Sequence, residues 1–487
     1  MLEGLSREEL IAVVLAQAGV IEELRVEVAR LAARVATLEA EAKKNSGNSS
    51  LPPSRDPVAE RRRQAEARQE AQAARGGGKR RRPGKQRGAP GSTLALSDTP
   101  DVVLDHAPVT CGGCGAGLGD AEVTGESRRQ VIDLPEVHPV VTEHRAQTRL
   151  CSCGHATTAP FPEGVRAPVS YGPRVRAVVC YLLARQHIPV ERCAEAMADL
   201  FGIKISTGTI DAVYTDAARR LRGFITALVA VLRSLPVLHA DETTDRVGTT
   251  TCWMHVVSTR LYTLIHASTT RGHDAVVDAG VLIGYRGVII HDRLALYWKL
   301  KRAKHGLCGA HLLRDLASVA EVATQTAWAT GLSSLLVEIN RACDTARAAG
   351  HRRLAPGLQH QFRARYDTLV TAGQAANPEP LSGRKRDALQ RASHNLVTAF
   401  ATHRTSILRS MYDLNVSFSN NQAERDLRPV KLHRKISSCF RSQAGAERFA
   451  HVRSYLSTTR KHDIPAIDAL TRLFNNDPWM PSPSPAS

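Results

Sequence analysis

Leu235-Pro236-Val237-Leu238-His239-Ala240-Asp241-Glu242 is the stretch on which the reading of this chain turns. Its short apolar run, Val237 and Leu238, ends in two carboxylates. After a few turn-prone residues come two β-like runs, residues 252–258 and 261–266. That order reads as a strand with an acid at its tip, followed by a hairpin. A second apolar strand, residues 287–291, then ends in Asp292. An aspartate that ends a strand is, taken alone, more often a solvated turn residue or a helix cap. Two such strands, however, can set both carboxylates around one divalent cation. Hard cations such as Mg²⁺ take carboxylate oxygens, keep positions open for water and phosphate, and work in pairs on phosphodiesters. A third acid is then expected from a helix. Glu424, in Ser419-Asn420-Asn421-Gln422-Ala423-Glu424-Arg425, is the candidate.

Length and composition bound the rest. At 487 residues the chain implies two to four domains, and 43% hydrophobic residues are ample for buried cores. A net charge of +18 points to a polyanionic partner, of which nucleic acid is the commonest. No apolar run approaches the roughly 18 residues that span a membrane. The amino terminus lacks the basic-then-apolar order of a secretory signal. Ten cysteines in so long a chain make no disulfide scaffold. A reducing cytoplasm fits these features.

In chain order, Leu10, Val14, Gln17, Ile21, Leu24, Val28, Leu31, Val35 and Leu38 fall on alternating steps of three and four. This a/d seam reads as a coiled coil for self-association; an amphipathic helix docked on its own protein is the alternative. Residues 45–100 form a polar linker with basic tracts, among them Arg80, Arg81 and Arg82, which suit phosphate contacts that carry no sequence information. Cys111 and Cys114, then Cys151 and Cys153, are two close pairs beside glycine. Such knuckles present thiolates to a structural Zn²⁺, with His155 a substitute ligand; buried free thiols or a redox pair are the alternatives. Short strands are expected over 131–135 and 137–148. One helix is expected over 174–185. Helices over 190–201 and 207–218, joined at Gly202, then resemble a helix-turn-helix, with Thr207 and Thr209 opening its second helix. The same pattern also occurs in any helical domain. A further helix is expected over 271–283. A helical insertion over about 316–413 interrupts the α/β domain before Glu424. Arg425, Arg428, Lys431, Arg434 and Lys435 follow that acid. They offer phosphate contacts, or for Arg428 a plain ion pair with Glu424 one turn away.

Taken together these residues resemble the bacterial insertion-sequence transposases of the sixty-six type. His239-Ala240-Asp241-Glu242-Thr243 is similar to that family's first block and His291-Asp292 to its second. Asn420-Asn421-x-x-Glu424-Arg425-x-x-Arg428-Pro429 is similar to its third, and Cys308-Gly309-Ala310-His311 with Arg314 to a motif between. Three departures stand out: Ser419 replaces an aspartate, Arg293-Leu294 a glycine-tyrosine pair, and Gly309 a tryptophan. The resemblance implies a multi-domain α/β protein. Its ribonuclease-H-like catalytic domain (235–465) would follow a coiled coil (1–44), the linker, a zinc module (101–165) and a helical DNA-binding-like domain (166–234), with a tail over 466–487. It implies an Asp-Asp-Glu triad of Asp241, Asp292 and Glu424 holding two Mg²⁺ or Mn²⁺ ions, with His311, Arg314, Asn420 and Asn421 in support. The chemistry implied is nicking of transposon ends and joining of the freed 3′-hydroxyl to target DNA. The partners implied are double-stranded DNA, a second copy of the chain and accessory transposon proteins. A catalytically silent zinc-dependent regulator and a purely hydrolytic nuclease are the rival readings.

Overall fold

The structure is a computed structural model that describes residues 17–25, 27–28, 31, 62–63, 66, 94–165, 167–378 and 388–482. The chain divides into two units, residues 62–140 and residues 1–61 with 141–487. Residues 17–25 are helical, and Ile21, Leu24, Val28 and Leu31 are exposed. Leu10, Val14, Val35 and Leu38 of the a/d series, and Arg80, Arg81 and Arg82, lie outside the described residues.

The segments 131–135 and 137–147 form no strand. Val131, Leu134, Val140 and Val141 stay exposed, so no apolar face rewards pairing there. Only a short antiparallel hairpin follows, β1 (Thr148–Leu150) with β2 (Ala156–Thr158). The next segment is helical. It runs through α1 (Pro173–Cys180), which widens into a π turn over Tyr181–Arg185, then α2 (Val190–Phe201), α3 (Thr207–Arg220) and α4 (Arg222–Ser234). Gly202 closes α2 at φ +63°, a conformation that favours glycine. The Ser206 hydroxyl caps α3 by accepting the Thr209 N–H at 3.2 Å.

A five-stranded sheet follows: β3 (Val237–Val247), β4 (Thr250–Ser258), β5 (Thr263–Ser268), β6 (Val288–His291) and β7 (Lys304–Leu307). Its order is β5-β4-β3-β6-β7; the first three strands are antiparallel neighbours, and β6 and β7 run parallel to β3. The helix between β5 and β6, α5 (His273–Ala279), is shorter than expected over 271–283. Gly280 at φ +72° ends it, and Val281, Leu282 and Tyr285 bury themselves in the connection instead.

One sheet face carries Leu238, Ala240, Val257, Leu264 and Ile289 into a core shared with the helices of residues 173–234. The other face presents Met254, Val256 and Ile265. After β7 come α6 (Gly309–Ala320), α7 (Thr326–Ala348), α8 (Pro356–Ala375) and α9 (Ala388–Thr402), then two one-turn helices, Arg404–Ile407 and Arg409–Tyr412. They bury a core of their own around Leu316, Leu332, Leu336, Phe362 and Phe400. The chain returns to the sheet as α10 (Asn421–Ser437) and α11 (Gln443–Lys461). Ala423, Leu427 and Val430 of α10, spaced by four and three, seat against Met254 and Val256. Each fully buried side chain of the Leu or Val kind contributes about 1.5–3 kcal/mol, which fixes the rotation of α10 and hence where Glu424 points. The last segment is not a tail: α12 (Ala466–Phe474) buries Leu470, Leu473 and Phe474 in the first core.

Candidate active site

Strand β3 does not end at Asp241. It runs on to Val247, because β4 supplies antiparallel partners as far as Val247 opposite Thr250. What ends near Asp241 is the parallel ladder on the other side, where Val237, Leu238 and His239 pair with Val288, Ile289 and Ile290. Two more residues of that register set Asp241 opposite Asp292, just past the end of β6. Strand alternation then separates the two neighbouring acids, since successive side chains point to opposite faces. His239 and Asp241 share the α10 face. Glu242 turns to the other.

Helix α10 is tied to this strand by Asn420, which is buried at its start. The Asn420 Nδ2 donates to the Ala240 carbonyl at 2.8 Å, its Oδ1 lies 3.1 Å from His239 Nδ1, and its backbone N–H reaches Cys308 Sγ at 3.1 Å. One side chain thereby locks the first acid's strand to the third acid's helix. Glu424 follows in the first turn, where a carboxylate also suits the helix dipole. Asp241 registers the convergence. Its carboxyl is pushed up to about 7, first by burial, then by Glu242, with Asp292 and Glu424 adding like charge against one backbone N–H bond. Asp292 Oδ1 accepts the Leu294 N–H at 2.9 Å. Among the described residues Glu424 forms no ion pair with Arg428; its Oε1 instead lies 3.8 Å from His311 Nδ1. Arg314 is half-buried one turn beyond, and its charge helps hold His311 below the usual imidazole range, after burial. Asn421 is exposed.

Glu242 is the functional neighbour that its position in the sequence hides. Its side chain is 1% exposed, yet its two oxygens are satisfied: Oε1 accepts from Arg271 Nη2 at 2.6 Å and Oε2 from the Tyr297 hydroxyl at 2.8 Å. Arg271 in turn lies over Trp253, 4.9 Å from the ring centre. Beneath Asp292, His291 Nε2 is 3.0 Å from His305 Nδ1, and burial with the nearby His305 pushes His291 down to about 3. A neutral imidazole pair therefore supports the strand end. Neither partnership carries a local sequence signal, because each joins residues far apart in the chain.

Arg428, Lys431 and Lys435 continue from Glu424 at steps of four, three and four, so the acid and a cationic stripe share one side of α10. Together with Arg425, Arg185, Arg453, Arg460 and Lys461 they line a groove of about 850 Å³. Asp426 is the one acid among the described residues that line it, and it pairs with Lys461 at 2.7 Å. Arg434 is exposed outside the groove lining.

Residues 168–448, more than half the chain, match the model of the Transposase IS66 family. The chain belongs to that family. Residues 108–154 match the zinc-finger binding domain of transposase IS66, and residues 10–93 a family of unknown function. Two curated proteins of Sinorhizobium fredii (strain NBRC 101917 / NGR234) are similar to it. The uncharacterized protein y4jD is 22% identical over 74% of this chain and 73% of its own length, and the uncharacterized protein y4hP 23% identical over 77% and 74%.

The zinc-finger match takes in both cysteine pairs of this IS66-family chain and supports a structural Zn²⁺. Each pair sits in a knuckle. At the first, Cys111 N–H donates to Ala116 and Gly115 N–H to Cys111, with Gly115 at φ +76°. At the second, Cys151 N–H donates to His155 and Gly154 N–H to Cys151, with Gly154 at φ +84°. Backbone N–H groups of Gly113 and Cys114 hold the Cys111 thiol below its usual range, and the Cys153 N–H does so for Cys151. Both knuckles thus favour the thiolates that zinc requires. His155 is exposed. Thr207 is exposed and Thr209 half-buried at the start of α3. Of the three departures from the family pattern, Gly309 has the clearest structural counterpart. A Cβ there would lie 2.2 Å from the Phe418 ring, so that ring fills the space a side chain at 309 would take. Arg293 pairs with Asp315, and the Ser419 carbonyl accepts the Ser417 hydroxyl at 2.8 Å. No helix among the described residues is long and apolar enough to cross a membrane.

Proposed function

We propose that the chain is a metal-dependent DNA transposase that nicks transposon ends at terminal inverted repeats and joins the freed 3′-hydroxyl to target DNA. The observation that carries this reading is the convergence of Asp241, Asp292 and Glu424 from β3, the end of β6 and α10. Their mutual charge is felt at Asp241. A half-buried cluster of carboxylates, in which Asp241 is raised by burial and by its acidic neighbours and one Glu424 oxygen has no hydrogen-bond partner among the described residues, suits divalent cations, and these three residues would hold them. Two Mg²⁺ or Mn²⁺ ions would supply there the positive charge that stabilises attacking and leaving oxygens. The strand order, with β6 and β7 parallel to β3 and the antiparallel β3-β4-β5 on the far side, supports a ribonuclease-H-like catalytic domain.

The chain's own residues do the positioning. Asn420 keeps the strand of Asp241 and the helix of Glu424 at a fixed spacing. Glu242, braced by Arg271 and Tyr297, holds β3 from its other face. Arg428, Lys431 and Lys435 extend about 16 Å along α10 beyond Glu424, a length that suits successive phosphates of a bound strand. Arg425 and Arg434, the opening of α3 at Thr207 and Thr209, and Arg80, Arg81 and Arg82 of the linker add further DNA contacts. The cysteine pairs Cys111 with Cys114 and Cys151 with Cys153 would each supply thiolates for structural zinc, and the amino-terminal seam would pair two copies of the chain.

The test is a nicking assay on a labelled element-end duplex with Mg²⁺ or Mn²⁺. Asp241→Asn abolishes nicking while duplex binding stays within about twofold of wild type. Full nicking by that variant removes Asp241 from the site.

A further inference from the structure

Beside the carboxylates lies a second set of ligand atoms of different chemistry. Cys308 Sγ, a ring nitrogen of His311 and a Glu424 oxygen all fall within 4.8 Å of one another. His311 Nδ1 and Glu424 Oε1 are both buried, and neither has a hydrogen-bond partner among the described residues. Their separation of 3.8 Å is too long for a hydrogen bond. It is close to what two ligands of one ion require, since nitrogen and oxygen each about 2.0–2.2 Å from a tetrahedral zinc lie roughly 3.4 Å apart. Two orphaned polar atoms facing each other across such a gap leave room for a cation between them.

The surroundings fit a held ligand set. Cys308 precedes α6 and His311 lies in its first turn, three residues on, so both face the same side. Glu424 comes from the first turn of α10. The Gly309 N–H donates to the Phe418 carbonyl at 2.7 Å and the Asn420 N–H to Cys308 Sγ at 3.1 Å, which straps the two helix starts together. An N–H donated to a cysteine sulfur is the outer-shell support that metal-bound thiolates receive.

We propose that Cys308, His311 and Glu424 form a three-ligand site for a borderline transition-metal dication, zinc by preference, at the edge of the carboxylate cluster. Sulfur and imidazole select zinc or cobalt, whereas Mg²⁺ prefers oxygen ligands alone. Three protein ligands leave a fourth position open to water or a phosphate oxygen. The proposal shares Glu424 with the transposase reading and rests on it only there.

The test needs no DNA. The metal-stripped full-length chain is titrated with Co²⁺, and thiolate-to-cobalt absorption and bound equivalents are read for wild type, Cys308→Ser and His311→Gln. The four knuckle cysteines are common to all three proteins and cancel in the comparison. The expected result is one equivalent fewer, and a smaller thiolate band, in Cys308→Ser. His311→Gln keeps the band but weakens that equivalent by at least about tenfold. About a hundredfold excess of Mg²⁺ does not displace it. Equal stoichiometry and superimposable spectra in wild type and Cys308→Ser overturn the proposal. If Cys308→Ser loses its fold by circular dichroism, unchanged cobalt affinity in His311→Gln, whose side chain is partly exposed, overturns it equally. A chain that binds this cobalt yet joins no DNA keeps the metal site and refutes the transposase reading; strand transfer without the cobalt equivalent does the reverse.

Discussion

Asp241→Asn makes the free chain more stable above neutral pH, and the size of the effect follows from the site. With no divalent cation bound, burial, then Glu242, and then Asp292 and Glu424, push the Asp241 carboxyl from the usual 3.8 up to about 7. The folded state therefore holds this proton more tightly than the unfolded state does. The sign is fixed by linkage. The contribution is fully present below the unfolded value near 4 and is lost as pH rises through about 7. Such a displacement corresponds to on the order of 4 kcal/mol lost across that window. Asparagine does not titrate and escapes the loss. Thermal unfolding of wild type and Asp241→Asn, without added Mg²⁺ or Mn²⁺ and with zinc retained, is followed from pH 4 to pH 8. The two midpoints should be similar at the acid end, with the variant several degrees higher at pH 8. Adding Mn²⁺ at pH 8 should raise wild type and leave the variant little changed. Parallel midpoint curves at every pH would refute the claim that Asp241 sits in a charged, buried cluster. The histidines that titrate in the same window are common to both proteins and drop out of the difference.

Arg271→Ala strips one partner from a carboxylate that is 1% exposed. Because the Tyr297 bond remains and Arg271 is itself partly exposed, the expected loss is about 1–3 kcal/mol by denaturant unfolding, recovered in part by adding Glu242→Gln. Gly309→Ala sets a methyl group 2.2 Å from the Phe418 ring. It should destabilise by about 1–3 kcal/mol although alanine is the better helix former, and the double variant with Phe418→Leu should regain most of the loss. Arg428→Ala with Lys431→Ala should weaken duplex binding alike on element-end and random DNA, with the slope of log affinity against log salt shallower by about 2. A loss confined to one sequence would contradict the phosphate role.

Much of this site was legible because its signals are local. The apolar runs before Asp241 and Asp292 give strands, and Ala423, Leu427 and Val430 give the buried stripe of a helix that leaves Glu424 beside it. What the sequence concealed depends on contacts between distant segments. Asp241 was expected at a strand tip, but β4 extends β3 six residues further, and a strand's length is decided by its partner. Glu242 looks like a second surface acid until Arg271 and Tyr297 close over it. Strands expected near residues 131–148 fail for the converse reason: their apolar residues find no face to bury against. The segment after 465 reads as a tail only until Leu470, Leu473 and Phe474 are seen to fill the first core. Cys308 and His311 were visible as a motif, but their approach to Glu424 spans more than a hundred residues of inserted helices.

On the proposed reading, Asp241, Asp292 and Glu424 act together in DNA strand transfer. The most direct measurement is a joining assay with a pre-nicked element-end duplex, a plasmid target and Mg²⁺ or Mn²⁺, comparing wild type with Glu424→Gln. Glutamine keeps the shape of the side chain and removes its charge, so duplex binding should persist. The predicted result is joined product with wild type and none with Glu424→Gln. Equal joining by both proteins, or duplex binding by wild type without joining under either metal, would contradict it.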